Sequence, residues 1–338
     1  MVTTTDAGRP PASHRAVFRY HATFGYSFRE RVRVWQVPTD PAAPIHLVAT
    51  NSVGARCTRE PRGPRDTSSA RVLVIGCSSA AGDGVSNRDR FSDILEQVLP
   101  GVEAHNYALS GSGHDQQLLV HREFANVIRP DVLLVCPSLA CIGRNLLSER
   151  LHRDAMTGGS IRVPKPYFTL DDRGELVLHH VPVPKPALRP VADPRFAPRP
   201  ATFGSRVRRL IRAAVGRSGP GYRMTIYDDE HALGYRLAQS LLRQVINESQ
   251  APLKLLAPLP DLAYATHQDA TNHHAFFRTI ASEAGAEFVD VAAFFRPLSD
   301  EDARACFFPH DGHYTHAGHD LIARRLADVL TSRGVGRQ

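Results

Sequence analysis

The residues with chemical promise are a serine pair early in the chain and an Asp-x-His pair near its end. Ser78 and Ser79 follow the apolar run Val72, Leu73, Val74 and Ile75, and Gly76, Gly82 and Gly84 surround them. The run predicts a buried β-strand, and the glycines supply the backbone freedom of a sharp turn. A serine at the carboxyl end of a parallel strand stands where open α/β sheets place their chemistry. Asp311-Gly312-His313 offers a carboxylate two residues before an imidazole. In extended backbone, residues i and i+2 point the same way, so Asp311 is expected to hold the His313 ring while it serves a nucleophile. Together these features predict serine-hydrolase chemistry, with Ser78 as nucleophile, His313 as base and Asp311 as orienting acid. That chemistry calls for no metal and no organic cofactor.

Each residue also has a plainer reading. Ser78 and Ser79 could cap a turn and the helix after it, and a histidine without an acid beside it is more often structural. His310, His313, His316 and His319 recur every third residue. That spacing does not keep them on one face where a loop becomes a helix, and no carboxylate shell accompanies them, so a metal site is not expected. Asp115 and Gln116 read as opening a helix, with Asp115 favourable at its positive end.

The elements that must position these groups alternate along the chain. After the strand from residue 71, Asp89 to Leu99 is an amphipathic helix with Phe91, Ile94, Leu95 and Val98 on one face. A strand at 102–106, a helix at 115–127 and a buried strand at 131–136 follow. Regularity then fails from 151 to 227, where prolines punctuate the chain and Asp172-Arg173-Gly174 marks a hairpin turn. Alternation resumes with a helix at 231–246, a strand at 253–256, a helix at 273–284, a strand at 287–291 and a closing helix at 317–330. Alternating strands and helices predict a parallel sheet covered on both faces, with 151–227 inserted beside its carboxyl edge. Residues 1–16 read as a disordered leader and 17–70 as a small β-rich extension, leaving an α/β domain over 71–334.

Bulk properties narrow the function classes. The chain has 338 residues, 42% hydrophobic and 22% charged, ordinary values for a globular protein with a full core. No apolar run approaches the roughly 18 residues of a membrane span. The opening MVTTTDAGRPPASHR lacks a hydrophobic signal core, which predicts a cytoplasmic protein. Five cysteines (57, 77, 136, 141 and 306), odd in number and without paired spacing, predict neither a disulfide framework nor a zinc cage. Of the formal charge of +7, the stretch 185–217 carries more than its share, with Lys185 and eight arginines against Asp193. No nucleic-acid-binding motif accompanies it, so no nucleic-acid partner is expected. Within it, Val207, Leu210, Ile211, Ala214 and Val215 form an apolar stripe flanked by Arg206, Arg208, Arg209 and Arg212. Residues 206–215 thus read as a cap helix or as a contact for an anionic surface or acidic substrate.

Three ordered blocks resemble the SGNH or GDSL hydrolases. GCSSAAGDGV is similar to the family's first block with Ser78 at the nucleophile, NYALSGSGHDQQ to the second with Gly111 at an oxyanion-hole glycine, and FFPHDGHYTHAGH to the last with Asp311 and His313 as acid and base. The likeness runs from 71 to 330; KPYF and VPVPK resemble members tied to cell-surface glycan modification. It implies a three-layer flavodoxin-like fold and ester hydrolysis or acyl transfer, with the N–H groups of Ser78 and Gly111 binding the oxyanion. Two departures stand out. Cys77 replaces the family's Asp, and Ala140-Cys141 replace Asn-Asp, the Asn being an oxyanion donor; Ser138 lies nearby as a substitute hydroxyl. Cys77 and Cys141 read either as apolar repacking or as a reactive or paired thiol. The expected substrate is a small acylated hydroxyl compound, a sugar or biosynthetic intermediate. Transfer to a non-water acceptor and non-catalytic ligand binding are the alternatives.

Overall fold

The apolar run from residue 72 does form a strand with no solvent contact. In the computed structural model, which describes residues 17–37, 43–61, 68–153, 160–185, 225–266 and 272–336, β1 (Ala70–Gly76) is paired on both edges. Its partners are β2 (Val102–Asn106) and β3 (Val132–Cys136); β4 (Leu253–Leu256) and β5 (Glu287–Phe288) extend the sheet beyond β3. Every pairing is parallel, in the spatial order β2-β1-β3-β4-β5. This is the flavodoxin-like order, whose crevice lies at the switch point between β1 and β3.

Side-chain alternation divides the sheet between two cores. Val72 and Val74 join Val132 and Leu134 on one face, beneath α2 (Phe91–Val98) and α6 (His316–Thr331). Leu73 and Ile75 join Leu133 and Val135 on the other, beneath α3 (His114–Ile128), α4 (Leu233–Glu248) and α5 (Asn272–Ala284). Because both faces are covered, the strands read as unbroken apolar runs, each large side chain contributing about 1.5–3 kcal/mol by burial. The strand expected over 287–291 pairs for only two residues. Asp290 then accepts a hydrogen bond from the Ala293 N–H and turns the chain into a 3-10 helix, Val291–Phe294.

The β-rich residues before the sheet form two antiparallel hairpins, Phe18–His21 with Gly25–Phe28 and Arg33–Gln36 with His46–Ala49. Phe24, Tyr26, Phe28 and Val48 belong to the same buried cluster as Leu73 and Ile75. Arg56, only 1% exposed, reaches further. Its Nη1 donates to the carbonyls of Ala81 and Gly82 at 2.9 and 2.7 Å, its Nη2 to that of Val85, and its Nε to Asn87 Oδ1 at 3.1 Å. These are the carbonyls of the turn that follows Ser78.

The insertion begins as two further hairpins, Glu149–Arg153 with Ser160–Pro164 and Tyr167–Leu170 with Leu176–His179. Gly174 takes φ +82° in the turn predicted at Asp172-Arg173-Gly174. Lys165, between the hairpins, forms a wholly buried ion pair with Asp115 on α3 and donates to the Leu147 carbonyl at 2.9 Å. Asp115 therefore does more than favour the helix N-terminus: it docks the insertion onto α3. The leader at 1–16 and the arginine-flanked stripe at 206–215 lie outside the described residues, among which no helix is long and apolar enough to cross a membrane.

Two substitutions probe this framework. Arg56→Met strands buried carbonyls and is expected to lower unfolding free energy by about 3 kcal/mol. Lys165→Met leaves Asp115 buried without its cation and is expected to cost about 3–5 kcal/mol. Urea unfolding midpoints at constant m-value check both.

Candidate active site

At the switch point, β1 ends in Gly76 and Cys77, and Ser78 opens the single-turn helix α1 (Ser78–Ala81). Gly76 is required there: a Cβ would lie 2.5 Å from the Cys136 carbonyl on β3 and from the Ala80 side chain. The Ser78 carbonyl accepts from the N–H groups of Gly82 and Asp83 at 2.9 and 3.1 Å, with Gly82 at φ +77° closing the turn. Ser78 is buried but retains 8% exposure, and its own N–H has no hydrogen-bond partner among the described residues.

The loop leaving β2 is stitched to the same strand end. Leu109 N–H and Ser112 Oγ donate to the Gly76 carbonyl at 3.0 and 3.2 Å, and Ser110 Oγ donates to Asp83 Oδ1 at 2.5 Å. Gly111 lies between these anchors at φ +79°, and its N–H also lacks a partner among the described residues.

The Asp-x-His segment is a turn, which corrects the extended geometry expected from sequence. Gly312 takes φ +77°, and the His313 N–H donates to Asp311 Oδ1 at 3.0 Å. The turn brings His313 Nδ1 within 2.9 Å of Asp311 Oδ2, the contact the spacing predicted, by another backbone route. Phe308 N–H donates to the His313 carbonyl at 2.7 Å, and its ring lies where a Cβ on Gly84 would meet it at 2.8 Å. The C-terminal loop is thereby pressed against the turn after Ser78.

Burial alone would lower the His313 pKa, but contact with Asp311 and the charges of Asp83, Asp311 and Cys77 outweigh it and hold the imidazole above its ordinary value. Burial would conversely raise Asp311, and His313, with His310 3.4 Å away, keeps that carboxyl below the usual range. Cys77 and Asp83, which flank α1, both act on the His313 imidazole. The other histidines of the series separate: His316 faces Asp89, and fully buried His319 accepts from the Phe91 N–H at 3.2 Å.

Cys77 is 0% exposed, which opposes its reading as a nucleophile, but it does meet Cys141. A hydrogen bond from the Cys141 thiol pulls the Cys77 pKa down against the cost of burial, helped by the Arg144 charge and by the Ser79 and Ser138 N–H groups. Arg144 Nη1 lies 3.2 Å from Cys141 Sγ and 3.0 Å from the Ser112 carbonyl. All five cysteines are free and buried. Ser138 bridges to Leu259, and Ala140 lies in the 3-10 helix Leu139–Leu146. Ser79 follows Ser78 in α1 and is half-buried.

Sequence reasoning missed Asp83, Arg144 and Arg150. The signal for Asp83 was its place between the two turn glycines; the arginines carried none, since only tertiary contact brings them to the site. The ligating group His273, His274 and Asp290 also emerges, with ligand atoms within 4.8 Å of one another. Arg296, 2.7 Å from the Asp290 carboxylate, competes with any cation there.

No family model and no curated protein matches the chain. Among solved structures it is similar to a member of the lipolytic G-D-S-L family from Veillonella parvula (10% identity, 77% of this chain and 98% of that one, TM-score 0.42). A lipase/acylhydrolase from Enterococcus faecalis matches at 10% identity over 78% and 96%, TM-score 0.42. A catalytic mutant of an acetylxylan esterase from Geobacillus stearothermophilus matches at 14% over 80% and 97%, also at 0.42. At these values the sheet order and site geometry of the chain itself carry the weight.

The His313–Asp311 contact is directly measurable. NMR titration should place the His313 pKa above the ordinary 6.5. Asp311→Asn removes that residue's contact and charge while Asp83 and Cys77 remain, so the midpoint should fall below the wild-type value. An unshifted midpoint in the variant would refute the pairing.

Proposed function

We propose that the chain is a serine-dependent acyl-ester enzyme working through Ser78, His313 and Asp311. The observation that carries this reading is the meeting of two segments more than 200 residues apart. The His313 loop is pressed on the turn of Ser78, with Asp311 already on the far ring nitrogen. His313 Nε2 takes the Ser78 Oγ proton as that oxygen attacks the ester carbonyl. Asp311, on Nδ1, fixes the tautomer and stabilises the imidazolium. The unpartnered N–H groups of Ser78 and Gly111 receive the developing oxyanion, a role in which one donor is typically worth about 3–4 kcal/mol. The imidazolium then protonates the leaving alcohol. Water, or an acceptor hydroxyl, attacks the acyl-serine with the same histidine as base, and the acyl group leaves the enzyme.

The substrate class in this reading is a small acylated hydroxyl compound, such as an acylated sugar. Metal and organic cofactor have no part in these steps. The position of Asp83 suits a supporting role: its carboxylate, held by Ser110, adds to the field that favours the imidazolium.

Ser78→Ala is expected to abolish labelling by a fluorophosphonate probe and lower kcat on 4-nitrophenyl acetate by at least about 10³-fold. Labelling retained in that variant would overturn the assignment. In the wild-type enzyme, kcat/KM should rise with pH through one ionisation above the ordinary histidine value, because His313 must be neutral to accept the proton. Product analysis with an acceptor alcohol present separates transfer from hydrolysis: a transferred ester establishes the former.

A further inference from the structure

We infer that Arg150 is a specificity residue that anchors an anionic group of the substrate beside the ester carbonyl. The inference rests on the serine-ester reading and adds the charge of the substrate to it. Arg150 enters from the first hairpin of the insertion, and its guanidinium lies against Gly111, Nη1 nearest. A Cβ built on Gly111 would come 1.8 Å from Nη1, 2.7 Å from Cζ and 3.0 Å from Nη2. Glycine suits position 111 for its positive φ, and its missing Cβ leaves the space that the guanidinium occupies.

The guanidinium is fixed without being neutralised. Its Nη1 donates to Tyr26 Oη at 3.3 Å, and that buried hydroxyl donates to the Ser110 carbonyl at 2.8 Å, so the residue next to Gly111 holds the arginine through the tyrosine. No carboxylate among the described residues forms an ion pair with Arg150. Its strand neighbour Glu149 pairs with Arg162, and the buried Asp115 is taken by Lys165. Arg144 faces the cysteine pair. Of these cations, Arg144 and Arg150 are the two that no carboxylate among the described residues pairs with.

Around His313 the charge has the other sign: Asp311 contacts the ring, and Asp83, which Ser110 holds from the Gly111 loop, adds to it. An anionic group entering the site is repelled there and drawn to Arg150, whose Nε and Nη2 have no partner among the described residues. A half-buried guanidinium with free donors recognises carboxylate or phosphate through charge-assisted, bidentate hydrogen bonds. Because it abuts the residue whose N–H would hold the oxyanion, the anion must lie close to the ester carbonyl. The chemical class is an ester with a carboxylate on a short acyl chain or a phosphate on its alcohol half.

The test compares Arg150→Gln and Arg150→Lys with wild type on matched probes. These are 4-nitrophenyl butyrate against mono-4-nitrophenyl succinate, and an O-acetyl hexose against its phosphate. Arg150→Gln should lose about 10- to 100-fold in kcat/KM on an anionic probe, mainly through KM, and under about threefold on its neutral counterpart. Arg150→Lys should fall between. The pair that shows the effect identifies carboxylate or phosphate as the anion. Equal losses on neutral and anionic probes, or no loss on any, would overturn the inference. Calorimetric binding of succinate and of hexose phosphate to Ser78→Ala, with and without Arg150→Gln, reads the anion site without turnover. Lost turnover and lost labelling defeat the serine reading, whereas equal binding, or none, by both calorimetry variants defeats the anion site.

Discussion

One buried guanidinium holds the turn on which the site depends. The carbonyls of Ala81, Gly82 and Val85 point inward as the chain leaves Ser78, and Arg56 satisfies all three. The turn pairs some of its own carbonyls, Ser78 with the Gly82 and Asp83 N–H groups and Gly82 with that of Val85, and Arg56 adds donors where a buried unpaired carbonyl would be costly. Arg90, 1% exposed and paired with Asp93 at 2.7 Å, closes the arrangement by donating to the Arg56 carbonyl at 2.6 Å. The N-terminal β-rich segment is in this sense part of the site's second layer, supplying the charge that keeps Ser78 at the end of β1.

The same logic recurs at the Gly111 loop. Its anchors come from the Gly76 carbonyl on β1, from Asp83 after α1, and from Arg144 in the segment after β3. The buried Lys165–Asp115 pair fastens the insertion to the helix that starts just beyond the loop. Loss of either partner would leave a charge without water or counterion, which makes the placement of Arg150 on Gly111 a consequence of a well-determined interior rather than of a free surface strand. In the proposed chemistry, rigid placement of this kind would let the Ser78 and Gly111 N–H groups meet a developing charge without reorganising.

Charge is distributed across the site with a purpose the chemistry can use. Negative groups act on the His313 imidazole and favour its protonated form, while Arg150 stands against Gly111, an arrangement that suits the proposed chemistry. The Cys77–Cys141 pair is shielded from solvent, with Arg144 alongside. Its sulfurs fill the space at the ends of β1 and β3, where Gly76 and Cys136 are direct neighbours in the sheet.

The sequence by itself determined the sheet, its covering helices and the residue types of the site. Short, β-branched apolar runs at 72–75 and 132–136, bounded by turn residues, read as strands buried on both faces, and helical periodicity after each one specified the layers. The spacing of Asp311 and His313 likewise announced their contact, because a local pair needs little from the rest of the chain. What it could not determine were contacts made across long separations by residues without a pattern of their own. Arg56 beneath the Ser78 turn, Arg150 on Gly111 and Lys165 on Asp115 follow no periodicity, and each is fixed by the need to satisfy buried polar groups that exist only once the chain has packed. The backbone route at 311–313 was decided the same way: Gly312 permits either form, and packing of Phe308 against Gly84 selected the turn.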